Sequence, residues 1–186
     1  AEKYNFLIVN DFAYSDIYFG GNKPPSLLSS DKSLSHSIEL YSLTKGFSMA
    51  GWRVGFAVGN KDAISSVTKL KSYIDYGTFQ PIQIASTVAL NELEEYPFEL
   101  SSVYKERREL IVENLEDLNF SVQESTATMF VWAKLPEKFR NDSLKFSLEL
   151  LEKSNVAISP GVGFGKYGEG YIRIALVENK QRIRQA

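Results

Sequence analysis

An α/β block followed by a smaller α+β block is the fold this sequence predicts, and three observations predict it. Two short apolar runs, Phe6-Leu7-Ile8-Val9 and Val54-Gly55-Phe56-Ala57-Val58, are nearly continuous rather than alternating, which is the pattern of strands covered on both faces of a mostly parallel sheet. Stretches of helical spacing, cut by glycine and proline, fill the interval to residue 94. Beyond Pro97 one long amphipathic helix separates this block from a second set of short strands. The chain therefore divides into residues 1–94, a connecting helix over 95–118, and a small domain over 119–186.

Taken in order, residues 1–5 read as the tail of a helix entering the first strand, which gives the expectation that the chain is a fragment. Ile38-Glu39-Leu40-Tyr41 forms the second strand and residues 54–58 the third. Asn60 caps a helix whose Ile64, Val67, Leu70 and Ile74 recur at helical spacing. Gly77 and Pro81 interrupt it, and a second helical run covers 82–93. On the long helix Leu100, Val103, Arg107, Leu110, Ile111 and Leu118 form one stripe. Strands are expected at 120–122, 129–135, 156–159 and 171–176. Between them Asp142 or Ser143 caps a helix with Leu144, Leu148 and Leu151 on one face. A last helix starts near Asn179.

Composition narrows the function. Of 186 residues 44% are hydrophobic and 24% charged, with a formal charge of −2, the balance of a soluble globular protein with no electrostatic footprint for nucleic acid. No apolar run approaches the ~20 residues of a membrane span. The absence of cysteine excludes disulfides, thiolate metal sites and cysteine nucleophiles, and fits a reducing, cytoplasmic location. His36 has no second histidine to share a metal, and no metal site is expected.

The chemistry gathers where strands end. Asp11 closes the first strand and Tyr14 follows it. Ser42-Leu43-Thr44-Lys45 follows the second, and Arg53 lies in Gly51-Trp52-Arg53-Val54-Gly55. Ligands of α/β sheets bind beyond the carboxyl ends of the strands, so these residues should meet in one crevice. They offer a carboxylate, a phenol, a hydroxyl, an amine and a guanidinium, the groups that a phosphorylated pyridine aldehyde requires. In strand 171–176 alternation gives Ile172, Ile174 and Leu176 to the core and turns Arg173 to the other face.

The motifs Asp11-Phe12-Ala13-Tyr14, Ser42-Leu43-Thr44-Lys45, Ala50-Gly51-Trp52-Arg53-Val54-Gly55 and Tyr171-Ile172-Arg173-Ile174-Ala175-Leu176 resemble the C-terminal half of fold-type-I, class I/II aminotransferases dependent on pyridoxal 5′-phosphate. The segments 71–81 and 127–132 are similar to bacterial alanine–glutamate, aspartate or LL-diaminopimelate aminotransferases. The resemblance implies the C-terminal part of the cofactor-binding large domain followed by the small domain, with the catalytic cleft between the blocks. It implies that Lys45 carries the cofactor as a Schiff base and shuttles the substrate's α-proton. Asp11 would pair with the pyridine nitrogen, Tyr14 with the ring's phenolic oxygen, and Ser42 and Arg53 with the phosphate. Arg173 would grip the substrate α-carboxylate. Amino-acid and 2-oxo-acid substrates, glutamate with 2-oxoglutarate among them, and a homodimer are implied likewise.

Each residue alone has a plainer reading: Lys45 as a surface cation, Asp11 as a turn residue, Tyr14 as packing, Arg53 and Arg173 as solvated charges. Spacings of three, three and eight between Asp11 and Tyr14, Ser42 and Lys45, and Lys45 and Arg53 favour the joint one. Gly163-Phe164-Gly165-Lys166-Tyr167-Gly168 matches a dinucleotide fingerprint, but the element after it reads as a strand rather than the required helix. Trp132 and Met129 read as core, and Tyr76 as either packing or a cofactor neighbour. Two alternatives keep the fold: a β-lyase with the same cofactor, and the effector-sensing domain of a transcriptional regulator.

Overall fold

The computed structural model describes residues 1–186 and separates into two compact units, Ala1–Ser101 and Ser102–Ala186. In the first, β1 (Ile8–Asp11), β2 (Ser37–Ser42) and β3 (Gly55–Gly59) form a sheet in that order. β1 and β2 run parallel, Asp11 beside Leu40. β3 departs from the expected parallel pattern and lies antiparallel to β2, Gly55 opposite Ser42. The reason is the connection. Residues 43–54 hold only the single turn α1 (Leu43–Gly46) and a 3-10 turn, and no helix that could carry the chain back across the sheet for a parallel return. Gly59, with φ of 148°, brings its backbone so close to Ser37 that a Cβ would stand 2.1 Å from the Ser37 carbonyl oxygen.

The connection from β1 to β2 is fastened by Glu39. This buried carboxylate accepts from Asn10 Nδ2 at 2.9 Å, Ser26 Oγ at 2.8 Å and Leu27 N at 2.8 Å. Asp31 closes the approach to β2 by accepting from His36 N and Ser37 Oγ, each at 2.8 Å. Those hydrogen bonds, the backbone one from His36 foremost, hold its carboxyl well below the usual range.

Asn60 caps α2 (Lys61–Ile74) as its position predicts, accepting from Asp62 N at 3.1 Å and Ala63 N at 3.0 Å. No residue of α2 is buried. The apolar spacing therefore marks a face the chain itself leaves open, with Leu70 62% and Ile74 70% exposed. α3 (Gln80–Glu92) follows, and α4 (Tyr96–Asp117) continues into the second unit. Leu43, Met49 and Ala89 are buried together, with Tyr41, Phe47, Val54 and Ala85 packed on them. β1 and β3 are less covered than their sequences imply: Val9, Phe56 and Val58 are all exposed.

The second unit holds β4 (Ser121–Val122), β5 (Phe130–Lys134), β6 (Ser159–Pro160) and β7 (Tyr171–Ala175) in the order β4-β5-β7-β6, every pair antiparallel. Alternation sends Val131 and Ala133 of β5, with Leu135 just beyond it, and Ile172 of β7, with Leu176 just beyond it, into the core. Ile111 and Leu115 of α4 pack on that layer with Tyr104 and Val112. This stripe is turned from the expected one, leaving Val103 and Leu118 exposed. α5 (Ser143–Ser154) is turned likewise. Asp142 caps it, as expected, through Lys145 N at 2.9 Å. Yet Leu144, Leu148 and Leu151 face outward while Ser143 and Ser147 are buried and Phe146 enters the core. Ser143 Oγ accepts there from Val162 N at 3.2 Å, and Ser147 Oγ donates to Ser143 O at 2.9 Å; the apolar count alone misleads. The expected strand over 156–159 is reduced to β6, and Asn179 caps α6 (Lys180–Gln185) through Arg182 N.

Because Asn60 both caps α2 and donates to the Ser35 carbonyl at 2.8 Å, Asn60→Ala should destabilise the first unit by about 1–2 kcal/mol. A urea unfolding midpoint equal to that of the unaltered protein contradicts this.

Candidate active site

Register brings the candidate residues of the first unit to one end of its sheet. Asp11 is the last residue of β1 and pairs with Leu40, two residues before Ser42 ends β2. Ser42 pairs with Gly55, and Leu43 N donates to Val54 O at 3.4 Å. Arg53 therefore stands beside the turn that carries Lys45. Asp11, Leu40, Ser42 and Gly55 share one face of the sheet; Asn10, Glu39, Tyr41, Phe56 and Val58 share the other. A shallow cavity of about 320 Å³ lies on that second face, away from Asp11 and Ser42.

Ser42 caps α1, its Oγ accepting from Thr44 N at 3.2 Å. The single turn then presents Lys45 with its Nζ over the Tyr14 ring, 5.6 Å from the centroid. Asp11 Oδ1 accepts from Ala13 N at 3.4 Å and its side chain is otherwise open to solvent. Arg53 is exposed, held in the left-handed region at φ 52°, and donates to Ala50 O at 3.1 Å. None of Asp11, Lys45 and Arg53 pairs with an opposite charge of the chain. An acid, an amine and a guanidinium at one strand end, each without a counter-ion, are suited to a ligand that carries both signs.

Three residues that sequence reasoning passed over brace this turn. Asp16 accepts from the Tyr41 hydroxyl and forms an ion pair with Lys23 at 3.5 Å. Burial, and then the Asp16 carboxylate, push the Tyr41 phenol far above its ordinary pKa. Asp16 also packs so close to Gly46 that a Cβ there would meet its Oδ2 at 2.6 Å. A side chain at position 46 would therefore have to displace the Asp16 carboxylate that Tyr41 bonds. The Asp16–Tyr41 pairing joins residues 25 apart in sequence, and no local pattern announces it.

In the second unit Arg173 lies on the face of β7 opposite the core, paired with Trp132 of β5. Its guanidinium carbon is 4.2 Å from the ring centroids of both Phe130 and Phe164. No carboxylate of the chain forms an ion pair with it. Trp132 stacks on Tyr171 at 5.5 Å and 14°, so it belongs to this outer aromatic shelf rather than the core, whereas Met129 is buried as expected. The glycine-rich segment forms two 3-10 turns, Gly161–Phe164 and Lys166–Gly168, and then β7; no helix receives a pyrophosphate. Tyr76 is 91% exposed with φ 57°, which removes the packing reading within the chain. No helix is long and apolar enough to cross a membrane.

The sequence matches the family described as aminotransferase class I and II over residues 1–186. It is 50% identical to the protein named AatC of Rhizobium meliloti (strain 1021), covering all of this chain and 46% of that one. It is 43% identical to the glutamate-pyruvate aminotransferase AlaC of Escherichia coli (strain K12), covering all of this chain and 45% of the relative. The fold superposes on substrate-bound BacF from Bacillus subtilis with a TM-score of 0.93 at 35% identity, over all of this chain and 47% of that structure. The chain thus spans about half the length of the relatives it matches. Motif, register and full-length match agree: the chain belongs to the class I and II aminotransferases.

Proposed function

We propose that the protein containing this chain transfers an amino group between an α-amino acid and a 2-oxo acid, with this chain supplying the catalytic lysine and part of the cofactor's polar contacts. The observation that carries the reading is the Lys45 amine over the Tyr14 ring, with Asp11, Ser42 and Arg53 gathered by strand register at the same sheet end. On this reading residues 1–94 are part of the cofactor-binding large domain, 95–118 the connecting helix and 119–186 the small domain.

Members of the family use pyridoxal 5′-phosphate, and the donor set fits it: a carboxylate for a pyridine nitrogen, a phenol for a phenolic oxygen, a hydroxyl and a guanidinium for a phosphate, an amine for an aldehyde. When bound, that cofactor supplies an electron-poor ring that accepts the pair left behind as the substrate's Cα–H bond breaks. Asp11 keeps a proton on the ring nitrogen, since a neighbouring negative charge favours the protonated base. Tyr14 donates a hydrogen bond to the ring oxygen. Ser42 and Arg53 bind the phosphate, the arginine through its planar fork. Lys45 Nζ would hold the cofactor covalently and, once free, would serve as the amine base that takes the proton from the substrate Cα. Arg173 holds the substrate α-carboxylate, a role supported by its lack of any ion pair within the chain.

The name of AlaC is a glutamate-pyruvate aminotransferase, and it favours glutamate with a 2-oxo acid as one half-reaction, with alanine or aspartate as the other amino acid. A cytoplasmic homodimer completes the reading, from the cysteine-free composition and the family resemblance.

In the full-length protein Lys45→Ala should abolish covalent cofactor attachment and slow transamination by about 10²–10⁴-fold or more. Borohydride reduction followed by peptide mass spectrometry reads the attachment, and a cofactor adduct retained by the variant removes Lys45 from the role. Arg173→Leu should leave the cofactor bound while weakening amino-acid binding by about 2–5 kcal/mol; loss of cofactor with normal substrate binding moves Arg173 to the phosphate. Isolated residues 1–186 should show no appreciable transamination, because misplacement of a reacting group by about 1 Å costs roughly a hundredfold. Their open apolar faces on α2, β1 and β3 should also drive association. A coupled assay with light scattering checks both, and full turnover by a monomer contradicts them.

A further inference from the structure

We propose that Phe130 and Phe164 are positioning residues for Arg173, clamping its guanidinium between two rings so that its N–H edge stays open to a carboxylate. This deepens the assignment of Arg173 to the substrate α-carboxylate and rests on it.

The geometry is specific. Both ring centroids lie 4.2 Å from the same guanidinium carbon. The rings come from different places: Phe130 opens β5 opposite Ala175, and Phe164 ends the first turn of the glycine-rich loop. A guanidinium has two flat faces that attract π-electron density and an edge that carries its five N–H donors. Rings on the faces hold the cation without using the donors. A carboxylate of the chain would hold it too, but would occupy the same donors that the substrate needs.

The loop that delivers Phe164 is built to keep it there. Gly161 and Gly168 approach so closely that a Cβ on either would meet the other's carbonyl oxygen within 2.1 Å. Val162 N donates to the Oγ of fully buried Ser143 at 3.2 Å. Glu169 Oε1 accepts from Ser143 N at 2.7 Å and Gly170 N at 2.8 Å, anchoring the far end of the loop to the start of α5. Trp132 sets its ring edge-on to Phe164 at 5.6 Å and 77°, and stacks on Tyr171 beyond. Phe164 is nonetheless 50% exposed, an odd placement for a core residue and a natural one for a ring whose task is to cover one cation. The glycines that imitate a nucleotide fingerprint are accounted for by this tight loop.

The experiment uses the full-length holoenzyme. Phe164→Leu keeps an apolar side chain and removes the ring; Phe164→Tyr restores the ring. Steady-state kinetics with the amino acid should show KM raised about three- to tenfold in Phe164→Leu, the range of a partly desolvated cation–π contact, with kcat and cofactor content held. Phe164→Tyr should return KM to the starting value. The half-reaction with a primary amine that lacks the α-carboxylate should be equally fast in all three proteins, which loosened packing alone would not produce. Phe130→Leu should repeat the pattern; if it fails to fold, the Phe164 pair decides. Arg173→Leu separates the two levels of inference. If that variant binds the amino acid normally, the carboxylate role of Arg173 falls and the clamp with it. If Arg173→Leu weakens binding but Phe164→Leu leaves KM unchanged, or slows the amine equally, the clamp alone is overturned.

Discussion

The register between β1 and β2 is the constraint on which the candidate site depends, and a buried carboxylate enforces it. Glu39 sits in the middle of β2 and takes hydrogen bonds from its neighbour on β1, Asn10, and from Ser26 and Leu27 of the connection. A slip of one residue would send every side chain of one strand to the other face and separate Asp11 from Ser42. It would also bring Glu39 toward the face of Leu40 and Ala57 without its three donors, and a buried carboxylate without partners costs several kcal/mol. Sliding is thus penalised twice, by lost hydrogen bonds and by an orphaned charge.

From that register the rest of the site follows by short-range geometry. Ser42 ends β2 and caps α1, so the chain reverses within one turn and returns antiparallel as β3. The reversal sets Arg53 beside Ser42 and lifts Lys45 above the sheet edge. Asp16 then locks the turn through Tyr41 and the glycine at position 46. Lys45 is therefore fixed by elements that enclose it on three sides in sequence, from residues 10–16, 39–42 and 53–55.

Much of this was legible. Asn60, Asp142 and Asn179 announced their helices because an N-cap is a local device, satisfied by donors two or three residues ahead. The strand ends at Asp11 and Ser42 were legible because the apolar runs before them stop there, and the proposed roles of Asp11, Tyr14, Ser42, Lys45 and Arg53 build on that placement. What failed depended on partners distant in sequence. The stripe on α5 was drawn through Leu144, Leu148 and Leu151, but the loop at 161–169 and Glu169 claim the side with Ser143 and Ser147. The direction of β3 followed from a connection that holds two short turns and no crossover helix, rather than from its own apolar run. α2 shows the limit of periodicity: Val67, Leu70 and Ile74 have the right spacing, yet each keeps more than half of its surface exposed and no residue of the helix is buried.

The two cations at the centre of the functional reading are held in the same manner and for different chemical reasons. On the proposed reading Lys45 acts through its amine nitrogen, so what matters there is that the nitrogen stays accessible. A carboxylate partner would occupy its N–H donors in an ion pair, whereas a tyrosine ring at 5.6 Å attracts the ammonium only weakly and leaves those donors out of any ion pair. At Arg173, proposed to grip a carboxylate through its planar fork, what matters is direction. One ring would leave the guanidinium free to turn about its contact; two, at equal distance on Cζ, restrict it while keeping the fork unoccupied. Aromatic contacts thus serve where an acidic partner would hold the cation more tightly and spend the very hydrogen bonds that substrate recognition requires.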